Sequence, residues 1–130
     1  MMSNKKRILC IEDEAEMIEL MRLVLEREGF EVRGAMGGEQ GLKAMRQEKP
    51  DLILLDLMMP GIDGWEVYRQ MRSDKELAEI PVIIVTAKAQ SIDKVLGLQV
   101  AKVADYITKP FGPKELIGSI ERVLAQQNSR

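Results

Sequence analysis

The stretch DLILLDLMMPGIDG, residues 51–64, holds the end of one structural unit and the turn into the next. Leu52 to Leu55 form an aliphatic run that suits a strand covered on both faces, as in parallel sheets flanked by helices. The run stops at Asp56, the Pro60-Gly61 pair turns the chain, and after Gly64 the apolar residues Trp65, Val67, Tyr68 and Met71 fill a segment of helical period.

The same alternation extends in both directions. Further strands are expected at Arg7 to Ile11, Glu31 to Ala35, Pro81 to Thr86 and Asp105 to Thr108. Between the first two, Met17, Leu20, Met21, Val24 and Leu25 fall on one helical stripe, with Gly29 as its C-cap. A second helix is expected over Gly38 to Glu48, with Leu42 and Met45 inward and Pro50 as its stop. The third follows Gly64, and a fourth, with a weak apolar pattern, spans Ser91 to Ala101. The fifth starts at Pro113 and buries Leu116, Ile117, Ile120, Val123 and Leu124. Five strand–helix units predict an α/β fold: a single-domain, three-layer αβα sandwich around a doubly wound five-stranded parallel sheet with right-handed crossovers.

Composition narrows the chemistry. The 130 residues suit one domain, with a core large enough to need no staples. Cys10 is the only cysteine, which excludes a disulfide framework and fits a reducing compartment. Histidine is absent, so histidine triads and most zinc chemistry are excluded. A net charge of −2 supplies no basic field for nucleic acid. No apolar run approaches the ~20 residues of a membrane span, and no targeting segment is evident, so a cytoplasmic protein is expected. Of the nine methionines, Met17, Met21, Met45 and Met71 have helical core spacing and read as packing residues.

Parallel sheets of this kind carry their chemistry at the C-terminal strand edge. The strands end there in Glu12-Asp13, Asp56, Thr86 and Thr108-Lys109. Each has an ordinary explanation alone: Asp13 with Glu16 reads as a capping box, Asp56 as a turn starter, Thr86 as a helix cap and Lys109 as a solvated loop lysine. Together they would require those coincidences on one edge. Three gathered carboxylates call for a hard divalent cation such as Mg2+, and a hydroxyl and an ammonium beside them could hold phosphoryl oxygens.

The strings IEDE (11–14), LLDLMMPGIDGWEV (54–67), VIIVTAK (82–88) and DYITKPF (105–111) resemble the receiver domain of two-component response regulators, the CheY-like family. The resemblance implies a flavodoxin-like sheet of order 2-1-3-4-5 and one receiver domain over residues 1–130, with a core of about 6–125 and no output domain. It implies that Asp56 is the phosphoacceptor, that Asp13 and Asp56 ligate Mg2+, that Glu12 supports the ion through water, and that the Met58 backbone carbonyl adds a ligand. Thr86 and Lys109 would hold the phosphoryl oxygens, Lys109-Pro110 would be cis, and Thr86 with Tyr106 would form the switch. The donor, a histidine kinase or phosphotransfer protein, would dock near Glu14, Met17 and Pro110. The surface of the fourth helix, fifth strand and fifth helix would then control binding of an unknown protein target. The implied role is a switch that catalyses only its own phosphotransfer and dephosphorylation, without direct nucleic acid or membrane binding.

Some positions depart from the family pattern. Leu98 to Tyr106 is one residue longer than usual, and Lys102 replaces a turning glycine. Ala104 and Ser119 stand where family members that pair through the output face carry an acid and an arginine, although Lys94, Asp105 and Glu115 remain. A monomer or a weak phosphorylation-dependent dimer is expected. Met58 and Lys88, beside the site, offer no carboxylate or amide to orient water, which predicts a long-lived phosphate. Among rival functions, a haloacid dehalogenase-type phosphatase would need an aspartate where Met58 stands. A dinucleotide-binding module would need a G-x-G-x-x-G motif, which is missing. A receiver-like scaffold that binds partners without phosphorylation is the alternative.

Overall fold

The computed structural model of the chain describes residues 5–87 and 103–128. The expected fourth helix, Lys88, Lys94 and the Leu98–Lys102 part of the lengthened segment lie outside them. The elements are β1 (Arg7–Glu12), α1 (Ala15–Arg27), β2 (Glu31–Met36), α2 (Gly38–Gln47), β3 (Leu52–Asp56), α3 (Gly64–Arg72), β4 (Val82–Thr86), β5 (Asp105–Thr108) and a C-terminal helix (Pro113–Asn128). The five strands form one parallel sheet in the order β2-β1-β3-β4-β5. The chain leaves β1 for β2 on one side and returns to β3 on the other. This places a topological switch point at the C-terminal ends of β1 and β3.

Alternating side chains divide the core into two layers. Leu9, Ile11, Ile53, Leu55, Val82 and Ile84 face one side and pack with Leu42 and Met45 of α2 and Val67, Tyr68 and Met71 of α3. Ile8, Cys10, Leu52, Leu54, Ile83 and Val85 face the other, against Met21 and Leu25 of α1 and Leu116, Ile120 and Val123 of the C-terminal helix. Every residue of β3 and β4 is buried, because each strand has helices over both faces.

The helix ends follow their local chemistry. At the end of α1, Gly29 takes φ 92°, Gly29 N–H donates to Glu26 O and Phe30 N–H donates to Leu25 O, the paired bonds of a Schellman cap. The Asp63 side chain caps α3 by accepting from Glu66 N–H at 3.0 Å. In α1 the structure removes the ordinary alternative for Asp13 and overturns the expected placement of Leu20. The helix N-cap is Glu14 with no side-chain cap bond, so the Asp13–Glu16 capping box does not form. Leu20 is 48% exposed, and the buried face is Ile18, Met21 and Leu25. The reason lies on β2: Gly34 has no side chain, and Ile18 occupies the space, with its Cγ2 2.4 Å from where a Cβ would be. This close seat turns the helix toward Ile18 and leaves Leu20 in solvent.

Candidate functional site

The register of the sheet assembles the strand-end residues. Ile11 pairs with Leu55 and Asp56 with Val85, so Glu12 and Asp56 end neighbouring strands side by side. Thr86 pairs with Thr108, and Lys109 N–H donates to Thr86 O at 2.8 Å, which fixes the base of the lysine beside β4. The Lys109–Pro110 peptide bond is cis.

Lys109 is not the solvated loop lysine that its neighbourhood in sequence would suggest. Its Nζ lies 2.8 Å from Glu12 Oε2, 3.6 Å from Asp56 Oδ2 and 3.9 Å from Glu14 Oε1, with only 11% of its side chain exposed. Glu12 and Asp56 are buried, and Asp13 is half-buried at the rim. Oxygens from these three carboxylates lie within 4.8 Å of one another, a donor set that suits a hard, oxygen-seeking divalent cation. Asp56 Oδ1 accepts from Met58 N–H at 3.1 Å, while Oδ2 is the oxygen turned toward the ammonium. Asp13 N–H donates to Glu12 Oε1 at 3.2 Å.

The electrostatics follow from this crowding. Burial pushes the Glu12 carboxyl up to about 7, with Asp56 pushing the same way and the Lys109 hydrogen bond opposing. Burial works against the Lys109 charge, but the Glu12 hydrogen bond and the Asp56, Glu12 and Glu14 charges outweigh it and hold its pKa above the usual range. Thr86 Oγ1 is buried and has no hydrogen-bond partner among the described residues. A hydroxyl left in that state forgoes roughly 1–3 kcal/mol of solvation and is positioned to accept a new polar partner.

The other predicted residues differ in exposure. Glu14 and Pro110 are exposed, and Met17 is partly buried against the second core layer. The Met58 side chain is 48% exposed and Tyr106 42%. Asp105, next to Tyr106, accepts from Ser119 Oγ at 2.6 Å, from Arg122 at 2.7 Å and from Tyr106 N–H at 2.8 Å. Burial alone would raise its carboxyl, but these donors hold it below the usual carboxylate range. Sequence reasoning missed Arg122, whose available signal was its helical spacing of three from Ser119.

Comparisons with known proteins agree with this arrangement. The response regulator receiver domain family matches residues 8–121. The chain is 44% identical over 119 residues to the alkaline phosphatase synthesis transcriptional regulatory protein PhoP of Bacillus subtilis, covering 92% of this chain and 48% of that protein. It is 41% identical over 124 residues to the DNA-binding response regulator MtrA of Mycobacterium tuberculosis, covering 95% and 53%. The chain thus spans about half the length of the curated relatives it matches. The structure superposes with a TM-score of 0.80 on the response regulator protein TrrA from Thermotoga maritima in complex with Mg2+-BeF, at 33% identity and covering 91% of this chain and 98% of that one. The sheet order, the acidic edge and a family match over most of the chain lead to one assignment: this chain belongs to the response regulator receiver domain family.

Proposed function

We propose that this chain is a signalling switch that takes a phosphoryl group onto Asp56 from a histidine kinase or phosphotransfer protein. The observation that carries the reading is the state of the two Asp56 oxygens. Oδ1 is held by Met58 N–H, and Oδ2, turned toward the Lys109 ammonium 3.6 Å away, is the oxygen that acts as nucleophile. Oδ2 forms the new bond to phosphorus while the bond from phosphorus to the donor atom breaks and the donor keeps its electron pair. Lys109 and the buried Thr86 hydroxyl then hold the phosphoryl oxygens, a positioning task that makes up most of the catalysis such transfers need.

The donor set fits Mg2+, with Asp13 and Asp56 as ligands, Glu12 supporting through water and the Met58 carbonyl as a backbone ligand. When bound, the ion would neutralise charge that spreads over the phosphoryl oxygens. The relative TrrA, in complex with Mg2+-BeF, supports this choice of metal. Glu14, Met17 and Pro110 form the docking rim for the donor. Thr86 and Tyr106 form the switch: the Thr86 hydroxyl has no partner among the described residues and the Tyr106 ring is 42% exposed, so both can change partners once phosphate arrives. The changed surface includes β5 and the C-terminal helix and controls binding of a protein target, in a monomer or a weak phosphorylation-dependent dimer.

The receiver unit acts on itself and turns over no external ester. The net charge of −2 supports a receiver that leaves nucleic acid alone, whatever the roughly twofold longer relatives named for DNA binding do. Among the described residues no helix is long and apolar enough to cross a membrane. A cytoplasmic setting suits the free, buried Cys10.

The test is intact mass after incubation with a small acyl phosphate, with and without Mg2+, beside Asp56→Asn. A gain of one phosphoryl group that needs both the metal and Asp56 is expected. No gain in folded protein that binds Mg2+ would favour a phosphorylation-independent scaffold.

A further inference from the structure

Gly64, the first residue of α3, lies against the backbone of the phosphoacceptor itself. A Cβ at this position would stand 2.4 Å from Asp56 O, 2.7 Å from Leu57 Cα and 3.0 Å from Asp56 C. All three are backbone atoms, so no side-chain rotation could make room. Backbone freedom is not the reason for glycine here, because the positive-φ glycines are Gly29, Gly37 and Gly61. Close approach is the reason.

Gly64 N–H also donates to Leu57 O at 3.2 Å, which closes the loop of residues 57–63 into a ring. The far end of that loop is seated in the same way. A Cβ on Gly38, the first residue of α2, would meet Ile62 O at 2.7 Å. The loop carrying Met58 is therefore held between two helix starts, and the hold nearest Asp56 is Gly64. The path of residues 56–58 sets both the Met58 N–H bond to Asp56 Oδ1 and the direction of the Met58 carbonyl.

We propose that Gly64 is a positioning residue for the Asp56 site, setting the backbone of residues 56–58 so that the carboxylate and the Met58 carbonyl can share one Mg2+. The proposal rests on the Asp56–Mg2+ reading above. An alanine would have to open the 2.4 Å approach to at least 3.0 Å, a displacement of 0.6 Å at the residue that carries the ligands. Disturbing the groups that orient metal ligands typically costs about 10–100-fold in metal affinity or activity, so a loss of roughly tenfold or more in Mg2+ affinity is expected.

The experiment is calorimetric Mg2+ titration and Asp56 phosphorylation by a small acyl phosphate for the unchanged chain, Gly64→Ala and Gly34→Ala, with urea denaturation of each. Gly34→Ala is the control for stability alone, since its Cβ would meet the Ile18 side chain at 2.4 Å, on the α1–β2 packing surface. Gly64→Ala should lose Mg2+ affinity and phosphorylation rate together, whereas Gly34→Ala should lose stability but keep Mg2+ affinity within about threefold. Retained affinity in Gly64→Ala, or equal loss in both variants, overturns the proposal. Should Gly64→Ala fail to fold, hydrogen exchange of the Gly64 amide in the unchanged chain decides. Added Mg2+ should slow it, because binding stabilises the closed loop, and an unchanged rate overturns the proposal. If the unchanged chain itself binds no Mg2+, the parent reading is what fails.

Discussion

Replacing Lys109 by methionine keeps a long, flexible stem and removes an ammonium that lies 2.8 Å from Glu12 and 3.6 Å from Asp56. At an effective dielectric of ~20 these contacts are worth about 6 and about 5 kcal/mol before desolvation. Desolvation of the ammonium offsets much of that, and removing one partner from a buried ion pair typically costs ~3–5 kcal/mol. Glu12 limits the loss. Burial already pushes its carboxyl up to about 7, and without Lys109 it goes higher, so at low pH it takes up a proton and the uncompensated charge disappears. A carboxyl raised in the folded state favours folding below its unfolded pKa and loses that contribution as pH rises through the folded one. The expected outcome is a destabilisation of ~3 kcal/mol at pH 8 without metal, clearly smaller at pH 6, and largely reversed by saturating Mg2+, which supplies the missing positive charge. Mg2+ should also bind more tightly than in the unchanged chain, because the ammonium no longer competes. Urea denaturation at the two pH values, in chelator and in excess Mg2+, reads all of this. A loss under about 1 kcal/mol at pH 8, or one indifferent to both pH and Mg2+, would refute the argument that Lys109 is the counterion of the acidic edge.

Met58→Asn places an amide two residues after Asp56, where it can orient water; the phosphorylated form should lose its phosphate several-fold faster in a phosphate-release assay, and an unchanged or slower rate would count against the shielding role of Met58. Asp105→Asn should flatten the acid limb of the stability curve. The Asp105 carboxyl is held below its unfolded value, so its contribution is present above that value and is lost as pH falls through the folded one, which equilibrium denaturation below pH 5 will show or contradict. Cys10 is fully buried, its thiol pushed up by burial to about 12, so thiol reagents at pH 8 should react with it only as fast as the chain unfolds. Its contribution to stability should fade between the ordinary value of 9.0 and about 12. Prompt labelling of the folded chain would show that the second core layer is open at β1.

Much of the candidate site is legible because its residues terminate strands. An aliphatic run reports its own end, so Asp56 after Leu52–Leu55 and Thr86 after Val82–Val85 are visible as the first polar residues past a buried stretch. One residue of the α1 stripe, Leu20, was misread for the opposite reason, while Met17, Met21, Val24 and Leu25 pack inward as expected. Leu20 and Ile18 are equally apolar, and only the open seat over Gly34 on β2 decides which of them is buried. The Asp13–Glu16 pair has capping-box spacing, but the helix begins at Ala15, one residue too late for Asp13 to cap it.

By itself the sequence determined the alternation of strands and helices, the parallel sheet they imply and the identity of the residues at its C-terminal edge, since apolar periodicity and turn chemistry are local properties of the chain. The tertiary structure alone decided how those residues meet. Lys109 and Glu12 are separated by 97 positions yet lie 2.8 Å apart, the Thr86 hydroxyl is buried without a partner among the described residues, Asp105 is shared by Ser119 and Arg122, and Gly64 rests on the Asp56 backbone. These contacts depend on strand order and register to fractions of an ångström, and no periodicity along the chain carries that information.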